Sequence, residues 1–262
     1  MIRGLYTAAA GMSAQQNNID IISNNIANVN TNAFKKDRAE FQDLMYQSLN
    51  YTAGATSSST NNPTGIDTGL GVRVSGIQKN FLQGSLKETG NSFDIAIQGN
   101  GFFKITTPNG DTAYSRNGAF KLDSDGTIVD GQGFKLDPEI VIPPELVNIS
   151  IAADGTVTGA DASTGAITTL GQITLVNFIN PAGLIPQGNS LYLASDTSGS
   201  PIEGTPGLDG MGTLRQGMIE GSNVQLVTEM VDLITAQRGY EANSKAINTT
   251  DTMLQTVNQL KR

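Results

Sequence analysis

From Leu5 onward, apolar residues return at every third or fourth position. Leu5, Ala8, Met12, Gln15, Ile19, Ile22, Ile26, Val29 and Ala33 alternate steps of four and three, with polarity intruding only at Gln15. This is a heptad seam, the pattern of a helix that packs along another helix. Its opposite face carries Gln16, Asn17, Asp20 and Asn24. The far end of the chain repeats the design. Leu226, Leu233, Tyr240, Ile247 and Leu254 are spaced by sevens, Met230 fills one intermediate position, and Gln237 and Ser244 occupy two others. Ser222 or Asn223 offers an N-cap, with Glu229 in the first turns. Both seams are narrow and rich in small residues, too thin to cover a sheet. They suit helices that pair with each other and with copies of themselves, although two amphipathic helices lying on one core would show the same stripes.

Between about Gly71 and Glu220 the period changes to two. Phe93–Gln98 alternates cleanly, and Phe102–Ile105, Ala119–Leu122, Val147–Ile151, Ile173–Phe178 and Leu191–Leu193 are further strand candidates. Asn109-Gly110, Asn117-Gly118, Asp125-Gly126 and Asp154-Gly155 are hairpin-turn dipeptides. Asn50–Gly71 is rich in Ser, Thr, Asn and Gly and weakly apolar, so alone it reads as a flexible connector that an assembly could order. Ser195–Met211 reads as a second loop region. The expected class is α+β: terminal helices pairing as a coiled-coil core domain, with a central mainly-β domain of antiparallel strands, barrel- or sandwich-like. The expected divisions are a helix over 1–34, a connector and extended loop region over 35–71, a β domain over 72–220 with a sub-boundary near 138–145, and a helix over 221–262.

Composition removes most chemistry. The 262 residues contain no cysteine and no histidine, so disulfides, thiolate metal sites and every Ser-His or Cys-His arrangement are excluded. The net charge of −8, with only 15% charged residues, argues against a nucleic-acid partner. Asp123-Ser124-Asp125-Gly126, with Asp130 beyond, lacks the ligand spacing and terminal Glu of a calcium loop and reads as a hairpin. Gly99-Asn100-Gly101 has no following Lys-Ser/Thr and is no phosphate loop. Lys35, Lys36 and Arg38 form a short basic run of the kind usually found at a solvated helix end. Asp232, Glu241 and Asp251 lie on a helix face that expects carboxylates, and no carboxylate pair stands out for glycoside cleavage. No catalytic residue, metal site, cofactor or small-molecule substrate is expected. The opening MIRGLYTAAAGMSAQQ lacks the apolar run of a Sec signal, and no stretch is long enough to span a bilayer. The expectation is a soluble protein that stays inside or leaves by another route.

Five asparagines crowd into Asn24–Asn32, directly after the first seam. The segment NNIANVNTNAFKKDRAEFQDLMYQ resembles the N-terminal signature of the flagellar rod and hook axial proteins, whose core is Asn-Asn-x-Ala-Asn-x-x-Thr-x-Gly-Phe-Lys. Asn24, Asn25, Ala27, Asn28, Thr31, Phe34 and Lys35 match it, while Ala33 stands where the family usually has Gly and bears on the local turn geometry. EGSNVQLVTEMVDLITAQRGYEANSKAINTTDTMLQTVNQL is similar to the family's C-terminal block, and DIAIQGNGFFKI and YSRNGAFKLDSDGTIVDGQGFKL to its central β domain. The length and the Asn50–Gly71 insert favour a rod subunit over the longer hook subunit or the shorter proximal ones.

The resemblance implies a structural subunit that polymerises with itself as a helical homopolymer, exported by the flagellar type III apparatus. Its implied partners are the proximal rod proteins, the hook protein and the surrounding basal-body ring proteins. Leu5, Met12, Ile19, Ile22, Ile26, Asn28, Phe34, Lys35, Leu226, Leu233, Tyr240, Ile247 and Leu254 are the expected assembly interface. The asparagine cluster is then a hinge whose amides bond backbone between subunits, or else a plain helix C-cap. A proximal rod or hook-type subunit, and a secreted carboxylate hydrolase acting on peptidoglycan, are the alternatives.

Overall fold

A computed structural model describes residues 2–50, 55–57, 60–61, 66–162 and 165–260. They form two compact units. The first collects Met1–Ala27, Asp37–Lys79 and Gln225–Arg262; the second collects Asn28–Lys36 and Asn80–Val224.

In the first unit, helix α1 (Ile2–Ala27) packs along helix α2 (Leu226–Leu260). The helices run antiparallel in one register: Gly11 lies against Asn243, Gly239 against Gln15, and Asn25 against Glu229. Small residues set that register, because glycine and alanine let two helix backbones approach closely. Ala8, Ala14, Ile21 and Ile22 of α1 and Ala236 of α2 are buried. The expected first helix spans 1–34, but α1 stops at Ala27, where the asparagine-rich run takes the backbone into turns.

Between the helices, the described residues of 37–79 form an antiparallel ribbon where a connector and extended loop region was expected. Strand β1 (Asp37–Asp43) pairs with β6 (Val72–Lys79), β2 (Tyr46–Asn50) with β5 (Ile66–Gly69), and β3 (Ala55–Ser57) with β4 (Thr60–Asn61). At its base Asp37 and Lys79 are register partners, and their side chains form an ion pair at 2.8 Å. Of the Asn50–Gly71 stretch, residues 51–54, 58–59 and 62–65 lie outside the described residues. The described remainder is paired because a ladder needs only backbone donors and acceptors, and Ser, Thr and Asn do not prevent it.

The second unit is almost wholly β. Its strands are β7 (Leu86–Glu88), β8 (Ile95–Gln98), β9 (Phe102–Thr106), β10 (Thr112–Ser115), β11 (Lys121–Leu122), β12 (Ile128–Val129), β13 (Lys135–Asp137), β14 (Leu146–Ile151), β15 (Thr156–Asp161), β16 (Ile167–Gln172), β17 (Leu175–Asn177), β18 (Ile185–Gly188), β19 (Leu191–Leu193), β20 (Ile202–Gly204), β21 (Thr213–Gln216) and β22 (Met218–Glu220). The main sheet runs β11-β12-β13-β9-β10-β19-β18, with β17 and β20 added beside β9. It is open at both ends and does not close into a barrel.

Alternation along β9 builds two cores, because successive side chains point to opposite faces. Phe103 meets Phe120 edge to face at 5.0 Å, in a cluster with Ile95, Ile97, Leu175 and Leu214. Phe102 joins Tyr114, Phe178 and Tyr192 on the other side. Of the four expected hairpin dipeptides, Gly110, Gly126 and Gly155 adopt positive φ as such turns require. Gly118 does not. It is needed for closeness instead, since a methyl there would overlap the carbonyl of Ile95, whose N–H donates to Gly118 O at 2.9 Å.

Candidate assembly surfaces

The helix pair has an inner seam and an outer face, and the large apolar residues lie mostly outside. Glu229 and Ala236 are buried where Met230 and Gln237 were expected, and Met230 is exposed. On α1, Gly11, Ala14 and Asn25 line the seam, while Met12, Ile19 and Ile26 are only half-buried beside it. The shift of one residue follows from the small side chains, which occupy the line of closest approach and push bulkier neighbours to its flanks. Leu5 is half-buried and Ile22 buried. On α2, Leu226 and Tyr240 are exposed, and Leu233, Ile247 and Leu254 are half-buried.

Val227, Met230, Val231 and Ile234 stand three and four residues apart, so they share one helix face. All four are exposed, Val227 by 76%. Met253 and Val257, also exposed, lie beyond the position on α2 that faces the start of α1 in the observed register. A contiguous apolar face on a helix otherwise packed through small residues is the mark of an unfilled interaction surface.

The asparagine cluster resolves in part. Asn25 is buried, and its side chain works within the first unit. Oδ1 accepts from Asp37 N–H at 2.9 Å, and Nδ2 donates to Asp37 O at 2.9 Å and to Glu229 Oε2 at 3.2 Å. One amide thus joins the end of α1 to the base of the ribbon and the first turn of α2. Asn28, half-buried, turns the chain: its carbonyl accepts from Thr31 N–H at 3.2 Å and its Oδ1 from Thr31 Oγ1 at 3.0 Å.

Lys35 corrects two expectations. It is neither a solvated helix end nor a surface contact, because its side chain is 0% exposed inside the second unit. Its Nζ donates to Glu220 Oε1 at 2.6 Å and to Leu82 O at 2.9 Å. Arg116 reaches the same carboxylate through Nε at 2.9 Å, and its other nitrogens donate to the carbonyls of Gly101 at 3.0 Å and Gly99 at 2.8 Å. Gly84 N–H adds a bond to Glu220 Oε1 at 2.8 Å. Burial pushes the lysine down to about 8, against the opposing pull of Glu220. Burial alone would raise the Glu220 carboxyl, but Arg116, Lys35 and the Gly84 N–H outweigh it and leave it below its ordinary value. Phe34, beside this cluster in sequence, is half-buried, and its carbonyl accepts from Asn223 N–H at 3.4 Å. Nothing in the sequence signals that residues 35, 116 and 220 meet.

Ala33 precedes this cluster at φ 56°, with its N–H donating to Glu220 O at 2.8 Å, and is 1% exposed. Positive φ costs an L-residue about 1–2 kcal/mol. Glycine would relieve that strain but lose a buried methyl, worth about 0.8 kcal/mol, and gain unfolded-chain entropy worth about 0.4–1 kcal/mol. The terms nearly cancel, which explains how alanine is tolerated. Ala33→Gly is therefore expected to shift unfolding free energy by less than about 1 kcal/mol. Ala33→Val, β-branched in a full site, is expected to lose about 2 kcal/mol or more. Calorimetric melting of the two variants checks the pair.

Asp123 behaves as a turn residue: its Oδ1 accepts from Ser124 N–H at 2.7 Å and its carbonyl from Gly126 N–H at 3.0 Å. Among the described residues no group of three carboxylates could hold a metal ion, and no helix is long and apolar enough to cross a membrane. The Ser222 and Asn223 side chains do not cap α2. Ser222 Oγ accepts from Val224 N–H at 3.3 Å, and Asn223 bonds Lys36, Asn80 and Leu82.

Three family models match the chain. Residues 5–35 match the flagella basal body rod protein family, residues 96–159 the D1 domain of the flagellar hook protein FlgE/F/G family, and residues 215–260 the C-terminal region of the flagellar basal body rod FlgEFG proteins. The flagellar basal-body rod protein FlgG of Borreliella burgdorferi is 47% identical over 264 residues, covering 100% of both chains. The proteins of the same name from Buchnera aphidicola (Schizaphis graminum) and Bacillus subtilis are 45% and 41% identical, covering 99% and 100% of this chain and 100% of their own.

Proposed function

This chain belongs to the flagellar basal-body rod protein family, and we propose that it polymerises helically into the distal part of the rod, the shaft that carries motor torque to the hook. It is a structural subunit of the flagellar basal body and not an enzyme, which sets the peptidoglycan hydrolase aside. The observation that carries the polymer reading is the exposed apolar face of Val227, Met230, Val231 and Ile234. A second copy of the chain is its occupant, with half-buried Leu5, Met12, Ile19 and Ile26 and exposed Leu226 and Tyr240 completing the contact. Identity supports a rod subunit over a hook subunit: the three flagellar basal-body rod proteins FlgG above are 41–47% identical, the Escherichia coli flagellar hook protein FlgE only 25%. The remaining partners are proximal rod proteins on one side, the hook protein on the other, ring proteins around the shaft, and the type III apparatus for export across to a periplasm-spanning position. No nucleic acid takes part.

The test is direct. Concentrated full-length chain should form straight tubular polymers visible by electron microscopy. Basal bodies from a deletion strain should lack the axial segment next to the hook. A chain that stays monomeric at every concentration, in a strain whose basal bodies are complete, would overturn the reading.

A further inference from the structure

The chain passes between the two units at 27/28, 36/37, 79/80 and 224/225, and Lys36, Asn80 and Asn223 stand at or beside the last three passages on the second unit's side. Asn223 joins these three passages within its own unit. Its Oδ1 accepts from Lys36 N–H at 2.8 Å, and its Nδ2 donates to Asn80 O at 2.8 Å and Leu82 O at 3.0 Å. Its own N–H donates to Phe34 O at 3.4 Å, and Asn80 N–H donates to Lys36 O at 2.8 Å. One side-chain amide therefore reaches backbone of both other passages, using acceptor and donors together. Beneath it, Leu82 O also accepts from Lys35 Nζ at 2.9 Å, and Gly221 N–H donates to Ser85 O at 2.8 Å. The Lys35–Glu220–Arg116 cluster anchors the same three passages.

We propose that Asn223 is a positioning residue: a latch that makes the three passages move as one, and so gives the subunit stiffness. The stiffness clause rests on the rod reading; the latch itself does not. The amide shares load entering through one passage with the other two, alongside the backbone bonds and the Lys35–Glu220–Arg116 cluster. Asparagine suits the position because it alone presents both an acceptor and two donors on a short stem. Asn223→Asp keeps the shape but removes the donors and sets carboxylate oxygens against two carbonyls.

Trypsin reads the latch in the full-length chain, since Lys35, Lys36, Arg38 and Lys79 flank it. In Asn223→Ala and Asn223→Asp, cutting at these positions should accelerate at least tenfold, while cutting after Lys104 and Lys135 in the sheet does not change. Polymers of Asn223→Ala should be curved where wild-type polymers are straight. Unchanged cutting at the flanking sites, or equal acceleration at Lys104 and Lys135, would overturn the latch. Straight variant polymers would overturn its contribution to stiffness. Wild-type chain that fails to polymerise would instead sink the rod reading, and the tryptic result would still decide the latch.

Discussion

Glu220→Gln is expected to destabilise the protein by about 3–5 kcal/mol, the usual cost of removing one partner from a buried ion pair. Glutamine keeps the volume and one acceptor but turns the other into a donor, so the variant removes the charge together with at least one accepted hydrogen bond. Without the carboxylate, Arg116 is a buried cation with no counter-charge, and Lys35 loses the pull that opposes the effect of its burial. Arg116 keeps the Gly99 and Gly101 carbonyls, and Lys35 keeps Leu82 O. Lys35→Met should lose less, because it leaves Glu220 with Arg116 and the Gly84 N–H. The double variant should lose less than the two singles together, since the residues act as one network. The pH dependence follows from Glu220. Its folded value lies below the unfolded 4.5, so its contribution is fully present above about pH 4.5 and is lost as pH falls through the folded value. Calorimetric unfolding of the full-length wild type and Glu220→Gln should therefore differ most above pH 4.5 and converge in acid. Parallel curves at every pH would contradict the assignment.

Paired Met230→Asp and Ile234→Asp should abolish polymerisation and swimming while leaving the soluble chain as stable as before. Both side chains are exposed, so in the free subunit the substitutions fall in the class usually worth less than about 0.5 kcal/mol. Once covered by a neighbouring copy, each carboxylate is buried without a partner, which costs several kcal/mol apiece. Sedimentation of concentrated protein and motility in soft agar read the two halves of this expectation. A double variant that pellets like wild type would remove this face from the assembly contact. One that unfolds as a monomer would place it in the subunit's own core.

The heptads at both ends and the period-two middle were legible because they reflect burial that repeats along one element. Phe93–Gln98 and Phe102–Ile105 carry their pattern locally, and the structure places strands at Ile95–Gln98 and Phe102–Thr106. Which positions of the heptad meet was not legible. Large apolar residues suggested Met12 and Met230, whereas Gly11, Gly239 and Ala236 set the contact by letting the backbones approach. The ribbon over 37–79 was hidden for another reason: backbone pairing holds it, and Ser, Thr and Asn advertise a linker. The Lys35–Glu220 pair had no local signal at all, since 185 residues separate its members. Asn223 looked like a helix cap because asparagine's bonding capacity is the same wherever it is used.

The observed helix contact also bears on when the helices fold. Ordering α1 and α2, 26 and 35 residues long, costs about 1–2 kcal/mol of backbone entropy per residue. A seam of glycine, alanine, two isoleucines and a polar Asn25–Glu229 contact buries little apolar area to offset that. Neighbouring copies would supply the rest, so folding of the ends and assembly become one linked event. Amide hydrogen exchange on the soluble full-length chain tests this most directly. The account predicts slow exchange in Ile95–Gln98 and Phe102–Thr106 and fast exchange along both Ile2–Ala27 and Leu226–Leu260. Slow exchange throughout the two helices in the monomer would contradict it.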